Sequence, residues 1–352
     1  MSSGKSNRPI RVLVADDSAL ARELICAILN SEPGMNVVGE AADGLEAVSK
    51  VLALKPDLVT MDIEMPVLGG HEAIERIMAQ FPLPILVITA QSGVRAAFTA
   101  VSKGAMAVVE KPDISMESAQ NLVNKVRMLS NLDIHAYMAA KSRKGEKPQG
   151  PPPVPKTTRE NVNIIAIAAS IGGPQAIYAI LSRLPANFPT PILIAQHIAD
   201  GFTPGMVEWL KSATPLRVCE MRHGDRLSPG TVHINPAEFS VTAIRQETLI
   251  LKGRDGKEPY HPSCDALLRS VAQAYRERSA GLILSGMGRD GVEGMRAIKS
   301  TGGVTIAQDA KSSVVYGMNR LAVEGGYVGK VIPLNQIPAE LVRLAGAKEE
   351  YA

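Results

Sequence analysis

Aromatic residues are scarce: one Trp, five Phe and seven Tyr make up 4% of 352 residues. So few flat rings offer little platform for stacking nucleic-acid bases. The net charge of +3 is too small to argue for a polyanionic partner. Cys26, Cys219 and Cys264 are widely spaced and odd in number, which supports neither a disulfide frame nor a zinc site and fits a reducing compartment. No apolar stretch is long enough to span a bilayer. The polar start MSSGKSNRP also lacks the apolar stretch of an export signal. The expectation is a cytoplasmic protein with no membrane insertion and no nucleic-acid partner.

Apolar residues reach 45%, enough for aliphatic cores, and 352 residues exceed one ordinary domain. Short apolar runs alternate with helical patterns from Ile10 onward: Ile10 to Val14, Val37-Val38, Leu58 to Met61, Ile85 to Ile88 and Ala107 to Val109. Such alternation predicts a parallel five-stranded, flavodoxin-like sheet with helices on both faces. The fifth helical pattern starts near Met116 and runs through Leu132 towards Tyr137. A basic, proline-rich stretch follows, with Gly150-Pro151-Pro152-Pro153, Pro155 and a local excess of four positive charges. Proline at that density favours extended chain, and the charge reads as a solvated tether rather than a nucleic-acid contact. Alternation then resumes, with strands expected at Ile192 to Ala195, Val232 to Asn235, Leu282 to Leu284, Val304 to Ala307 and Val328 to Val331, and predicts a second doubly wound α/β domain, less regular near Ser228 to Asp255. The expected organisation is a tail (1–9), a first domain (10–138), a linker (139–160), a second domain (161–346) and a tail (347–352).

In sheets of this kind the working site lies beyond the carboxyl ends of the strands. In the first domain those ends carry Asp16 and Asp17, Asp62, Thr89 and Lys111. A lone Asp there is usually a helix cap, but matched residues at successive strand ends argue for a site. Clustered carboxylates repel and call for a divalent cation, and hard oxygen ligands with open water positions suit magnesium. Asp62 is then placed for attack on a phosphoryl group, Lys111 to pair with the added charge and Thr89 to hydrogen-bond it. These residues resemble the receiver domain of two-component response regulators over roughly residues 10–130. The resemblance implies Asp62 as phosphoacceptor, a histidine kinase as phosphodonor, and Mg2+ held by Asp16, Asp17, Asp62 and the Glu64 carbonyl. It implies Thr89 and Lys111 as the switch residues. Two positions depart from the receiver pattern: Leu68-Gly69-Gly70 lacks its Asp, and Val108 stands where many receivers have a switching aromatic.

In the second domain, Ala168-Ala169-Ser170-Ile171-Gly172 follows the first strand and resembles the G-x-S-x-G nucleophile elbow, with Ala168 replacing a glycine. A phosphate-binding glycine loop or a plain strand-to-helix turn would read similarly. A base for Ser170 is available in His197, which follows the strand ending at Ala195 and so shares its sheet edge. His223, His233 and His261 fall in the irregular middle and are expected on surface or loop. Asp290 follows the strand Leu282 to Leu284; it suits an orienting acid, or alternatively a helix N-cap. Ser170, His197 and Asp290 thus form a candidate triad in a chain order that geometry does not forbid.

Together with Gln196-His197, Phe202-Thr203, Gly286-Met287-Gly288-Arg289-Asp290-Gly291 and Gln308-Asp309 with Val314-Val315-Tyr316-Gly317-Met318, these features resemble the CheB-type chemotaxis protein-glutamate methylesterases across nearly the whole chain. The resemblance implies phosphorylation-activated hydrolysis of glutamate methyl esters, and deamidation of glutamines, on methyl-accepting chemotaxis receptors during adaptation. It places the backbone N–H of Met287 in the oxyanion hole, and Ile171 can contribute only its own N–H there. It implies no cofactor in the esterase site. Ile171, Ala237 to Ser240 and His261 depart from the family pattern. Two other readings are a receiver-gated serine hydrolase of another ester or amide, and a non-enzymatic receiver-controlled regulator.

Overall fold

In the computed structural model, the described residues are 8–90, 93–132, 134, 162–254 and 260–346. The expected linker at 139–160 and tail at 347–352 lie outside them, as does the N-terminal tail apart from its last two residues. The chain divides into two compact units, Met1–His135 and Ala136–Ala352.

The first unit alternates β1 (Ile10–Ala15), α1 (Ala19–Ser31), β2 (Met35–Ala41), α2 (Gly44–Leu54), β3 (Leu58–Met61), α3 (Gly70–Gln80), β4 (Ile85–Thr89), α4 (Val94–Lys103), β5 (Ala107–Glu110) and α5 (Met116–Leu129). Its parallel sheet has the order β2-β1-β3-β4-β5. β3 and β4 are buried throughout, as strands covered on both faces must be. Helix starts follow local chemistry: the side chains of Ser18, Asp43 and Ser115 accept backbone N–H bonds at the first turns of α1, α2 and α5. The order reverses between β1 and β3, so their carboxyl ends open a crevice.

Val67, in the loop after β3, has φ +63 and is 80% exposed. A β-branched residue in that left-handed region is strained by about 1–2 kcal/mol. Asn tolerates the region better, so Val67→Asn should stabilise this unit by about 1 kcal/mol. Calorimetry of its unfolding transition checks this, and an unchanged or lower midpoint counts against it.

The second unit contains β6 (Ile164–Ala169), α6 (Gly173–Leu181), β7 (Ile192–Gln196), α7 (Thr203–Lys211), β8 (Arg217–Glu220), β9 (Thr231–Ile234), β10 (Phe239–Arg245), β11 (Thr248–Gly253), α8 (Cys264–Tyr275), β12 (Ser279–Ile283), α9 (Val292–Ser300), β13 (Val304–Gln308), α10 (Met318–Glu324), β14 (Lys330–Ile332) and α11 (Ile337–Leu344). Its parallel sheet runs β14-β13-β12-β6-β7-β9-β8, with β10 and β11 as a separate antiparallel hairpin. Every residue of β6, β7 and β12 is buried. Burying each large aliphatic side chain contributes roughly 1.5–3 kcal/mol, so these strands anchor the loops that follow them. Connections diverge between β12 and β6, which makes this the second unit's crevice.

The segment expected to be less regular holds β9, where a strand is expected at Val232 to Asn235, and also the β10–β11 hairpin, which is not expected. The reading of His233 as a surface or loop residue is corrected, since it lies in β9 and is buried. Its placement follows from Val232 and Ile234, which pack on the opposite face of the same strand and are fully buried.

Candidate functional site

In the first unit, β1 and β3 deliver Asp16 and Asp62 to the crevice, and both are buried. Carboxylate oxygens of Asp16, Asp17 and Asp62 all lie within 4.8 Å of one another, with Asp17 exposed. The Lys111 ammonium donates to Asp16 Oδ1 at 3.0 Å and to Asp62 Oδ2 at 2.7 Å. It also sits 2.8 Å from Asp16 Oδ2, yet that buried oxygen accepts no aligned hydrogen bond. Burial first, and the nearby Asp62 charge, raise the Asp16 pKa against the Lys111 hydrogen bond. Burial works to lower the Lys111 pKa, but its bonds to Asp16 and Asp62 outweigh this and raise it. Converging hard oxygens and an underused buried lone pair fit a divalent cation. Glu64 stands two residues beyond Asp62 on the exposed turn. Thr89 ends β4 and is buried, its hydroxyl bonded to the Ala90 carbonyl at 3.3 Å. Gly93 leaves that hydroxyl its room, because a Cβ there would lie 2.3 Å from Thr89 Oγ1.

In the second unit, Ser170 sits one residue beyond β6. Its backbone is fixed on three sides: its N–H donates to the Ser285 carbonyl, and its carbonyl accepts from the Gly173 N–H and the Gln196 amide. Two glycines make the approach possible. A Cβ at Gly286 would lie 2.6 Å from the Ser170 Cβ, and one at Gly173 would lie 2.0 Å from Gln196 Oε1. His197, directly after β7, places Nδ1 at 3.1 Å from Ser170 Oγ. Its Nε2 lies 2.9 Å from Asp290 Oδ2. The carboxylate needs a donor, so Nε2 carries the proton and Nδ1 is left bare towards the serine.

Asp290 does act as a helix cap, but of a helix remote in sequence. Its carboxylate accepts the Cys264 N–H at 2.6 Å, the Asp265 N–H at 2.9 Å and the Ser263 hydroxyl at 3.3 Å, all at the start of α8. Asp265 in turn accepts the Gly291 and Gly294 N–H groups, at 2.9 and 2.6 Å, at the start of α9. The two carboxylates thus cap each other's helices. Burial works to raise the Asp290 pKa, but the His197 hydrogen bond and the Asp265 and Cys264 amides prevail and lower it. Burial, with repulsion from Asp290, raises the Asp265 pKa.

Tyr260 stacks on the His197 ring at a centroid distance of 5.1 Å. Cys264 Sγ lies 3.5 Å from His197 Nε2. Tyr260, Cys264 and Asp265 were not singled out from sequence; the Ser263–Asp265 start of α8 was the available signal, since Ser followed by Asp marks a helix N-terminus. Met287 is half-exposed, beside Gly286 in the loop after β12. Ile171 is buried, and its carbonyl accepts the Ser285 hydroxyl at 2.7 Å. Among the described residues, neither the Met287 nor the Ile171 amide donates a hydrogen bond.

One unit is therefore a receiver-type sheet with an acidic crevice, and the other an α/β unit with a hydrogen-bonded Ser–His–Asp array. Residues 12–126 match the response regulator receiver domain. Residues 165–341 match CheB methylesterase. The chain belongs to the CheB methylesterase family. It is 43% identical, over 96% of its length and 97% of the relative's, to protein-glutamate methylesterase/protein-glutamine glutaminase 3 of Paramagnetospirillum magneticum. It is 42% identical, over 98% of its length and 99% of the relative's, to protein-glutamate methylesterase/protein-glutamine glutaminase 2 of Anaeromyxobacter dehalogenans. The crystal structure of the Thermotoga maritima CheB methylesterase catalytic domain superposes with a TM-score of 0.51 at 35% identity, covering 52% of this chain and 99% of that one. Among the described residues, no helix is long and apolar enough to cross a membrane.

Proposed function

We propose that this protein is a phosphorylation-activated protein-glutamate methylesterase and protein-glutamine glutaminase acting on methyl-accepting chemotaxis receptors in the cytoplasm. On this reading residues 10–138 form the receiver and 161–346 the catalytic domain. The observation that carries it is the continuous line from Ser170 Oγ through His197 to Asp290 at the crevice of the second sheet.

The bare Nδ1 of His197 takes the Ser170 proton as Oγ attacks the ester carbonyl carbon. The Met287 and Ile171 amides stabilise the resulting oxyanion. The protonated ring then gives its proton to the departing methanol, or to ammonia from a glutamine. Water, deprotonated by the same nitrogen, resolves the acyl-enzyme. Asp290 stays ionised throughout and stabilises the imidazolium.

In the receiver, Asp62 accepts the phosphoryl group from a histidine kinase as an acyl phosphate. Asp16, Asp17, Asp62 and the Glu64 carbonyl would hold Mg2+, which supplies neutralisation of the phosphoryl oxygens. Lys111 leaves its carboxylate partners to pair with the new charge, and Thr89 turns its hydroxyl from Ala90 towards it.

Methanol release from methylated chemoreceptor tests the reading. The full chain should release methanol, faster with a small-molecule phosphodonor and magnesium. Asp62→Asn should keep the unstimulated rate and lose the stimulation. An absence of release from methylated receptors, with or without phosphodonor, overturns the assignment. Stimulation that persists in Asp62→Asn overturns the role of Asp62.

A further inference from the structure

We propose that the Ser–His–Asp site doubles as a reversible inhibitory zinc site, with His197, Cys264 and Asp290 as ligands. The binding part rests on geometry, whereas the inhibition rests on the esterase reading above. His197 Nε2, Cys264 Sγ and a carboxylate oxygen of Asp290 all lie within 4.8 Å of one another. Imidazole, thiolate and carboxylate together are a ligand set that zinc accepts.

The spacing suits a tetrahedral ion. With ordinary zinc–sulfur and zinc–nitrogen bonds, a tetrahedral edge from sulfur to nitrogen spans about 3.5 Å. The Cys264 Sγ to His197 Nε2 distance is 3.5 Å. The nitrogen-to-oxygen edge of the same polyhedron is about 3.3 Å. The His197 to Asp290 separation is 2.9 Å, so the ion replaces the Nε2–H···Oδ2 hydrogen bond and widens that edge by about 0.4 Å.

Charge points the same way. A dication with one thiolate and one carboxylate is neutral overall, which avoids leaving net charge in a buried site. Cys264 is fully buried, and its thiol contacts the Ala195 carbonyl at 3.3 Å. In that contact the thiol is the donor, so Cys264 enters the site protonated. Zinc binding therefore sends one proton, from Sγ, to solvent. A second proton changes place without leaving. Nε2 must offer its lone pair to the metal, so the ring proton moves to Nδ1, opposite Ser170 Oγ. A ring protonated at Nδ1 cannot accept the serine proton, so the base is lost while the fold is unchanged.

Two properties follow. Onset is slow, since Sγ is buried and the imidazole side chain is 13% exposed. A chelator restores activity.

The Cys219–His233 pair on β8 and β9 supplies a control. Its Sγ to Nδ1 distance is also 3.5 Å, but no third ligand joins it among the described residues.

Zinc is titrated into the full chain, with methanol release read against each variant's own metal-free rate. Cys264→Ala should raise the inhibitory zinc concentration about 100-fold, since loss of a supporting partner alone costs 10- to 100-fold. Cys264→Val serves the same comparison if the alanine variant does not fold. Cys219→Ala should be inhibited like the parent. Cobalt(II) added to Ser170→Ala, which keeps all three ligands and needs no turnover, should give a thiolate-to-metal charge-transfer band that Cys264→Ala abolishes. Equal inhibition with and without Cys264, or no such band, overturns the site. A parent protein that releases no methanol even without zinc overturns the esterase reading instead, and the cobalt band still decides the metal site.

Discussion

Ser170→Ala should lower methanol release about a million-fold, towards the residual rate that binding and the oxyanion donors sustain. The size follows from the way the array works as a unit. Without Oγ there is no acyl-enzyme, and His197 has no hydroxyl from which to take a proton. Ser170 makes its structural contacts through the backbone: its N–H holds Ser285, and its carbonyl holds Gly173 and Gln196. Alanine keeps all three, so the melting temperature should stay within a few degrees of the parent. A loss of less than about a hundredfold would mean that another group is the nucleophile.

Asp290→Asn should cost about 10^4-fold in kcat. An amide keeps one oxygen and replaces the other with a donor. Oδ1 keeps the Asp265 N–H and the Ser263 hydroxyl, while an NH2 group in place of Oδ2 faces His197 and also opposes the Cys264 N–H that Oδ2 accepts. Nε2 must then accept, the ring proton moves to Nδ1, and the serine loses its base. This variant should also lose stability, unlike Ser170→Ala. An anion at a helix N-terminus contributes about 0.3–1 kcal/mol, and up to about 2 where partly buried. Because the folded-state pKa of Asp290 is lowered, its contribution is present above the ordinary carboxylate pKa. It is lost as pH falls through the lowered value. The parent and Asp290→Asn should therefore differ in melting temperature at neutral pH and converge in acid. A kcat within tenfold of the parent would remove Asp290 from the chemistry and leave it a cap.

Much of the first unit could be read from the order of residues. Four of the five apolar runs end in a residue with a chemical use, and parallel topology brings those ends to one edge. Asp16, Asp62 and Lys111 meet at hydrogen-bond distance for that reason. Ser170, His197 and Asp290 were legible on the same logic, since each lies in the loop that follows a strand of the central trio β12-β6-β7. The hairpin was not legible. Its turn residues, Gln246 and Glu247, have φ of +46 and +61, where Asn-Gly would be the usual signal. Nothing in their side chains announces a reversal. Tyr260, Cys264 and Asp265 were hidden for another reason. They reach the site because α8 packs its first turn against the loop after β12, and no local pattern encodes a contact between segments some twenty-five residues apart.

The exchanged caps tie two surface loops into one inheritance. Asp290 holds the start of α8 while Asp265 holds the start of α9, so neither loop has a resting position of its own. Drift in length or composition around 260–265 moves the carboxylate beside His197, and drift around 288–294 moves the helix that carries Cys264. Reshaping the rim of this crevice therefore takes concerted change in both stretches, or change elsewhere, as in the hairpin, which among the described residues exchanges no such caps with the Ser–His–Asp line.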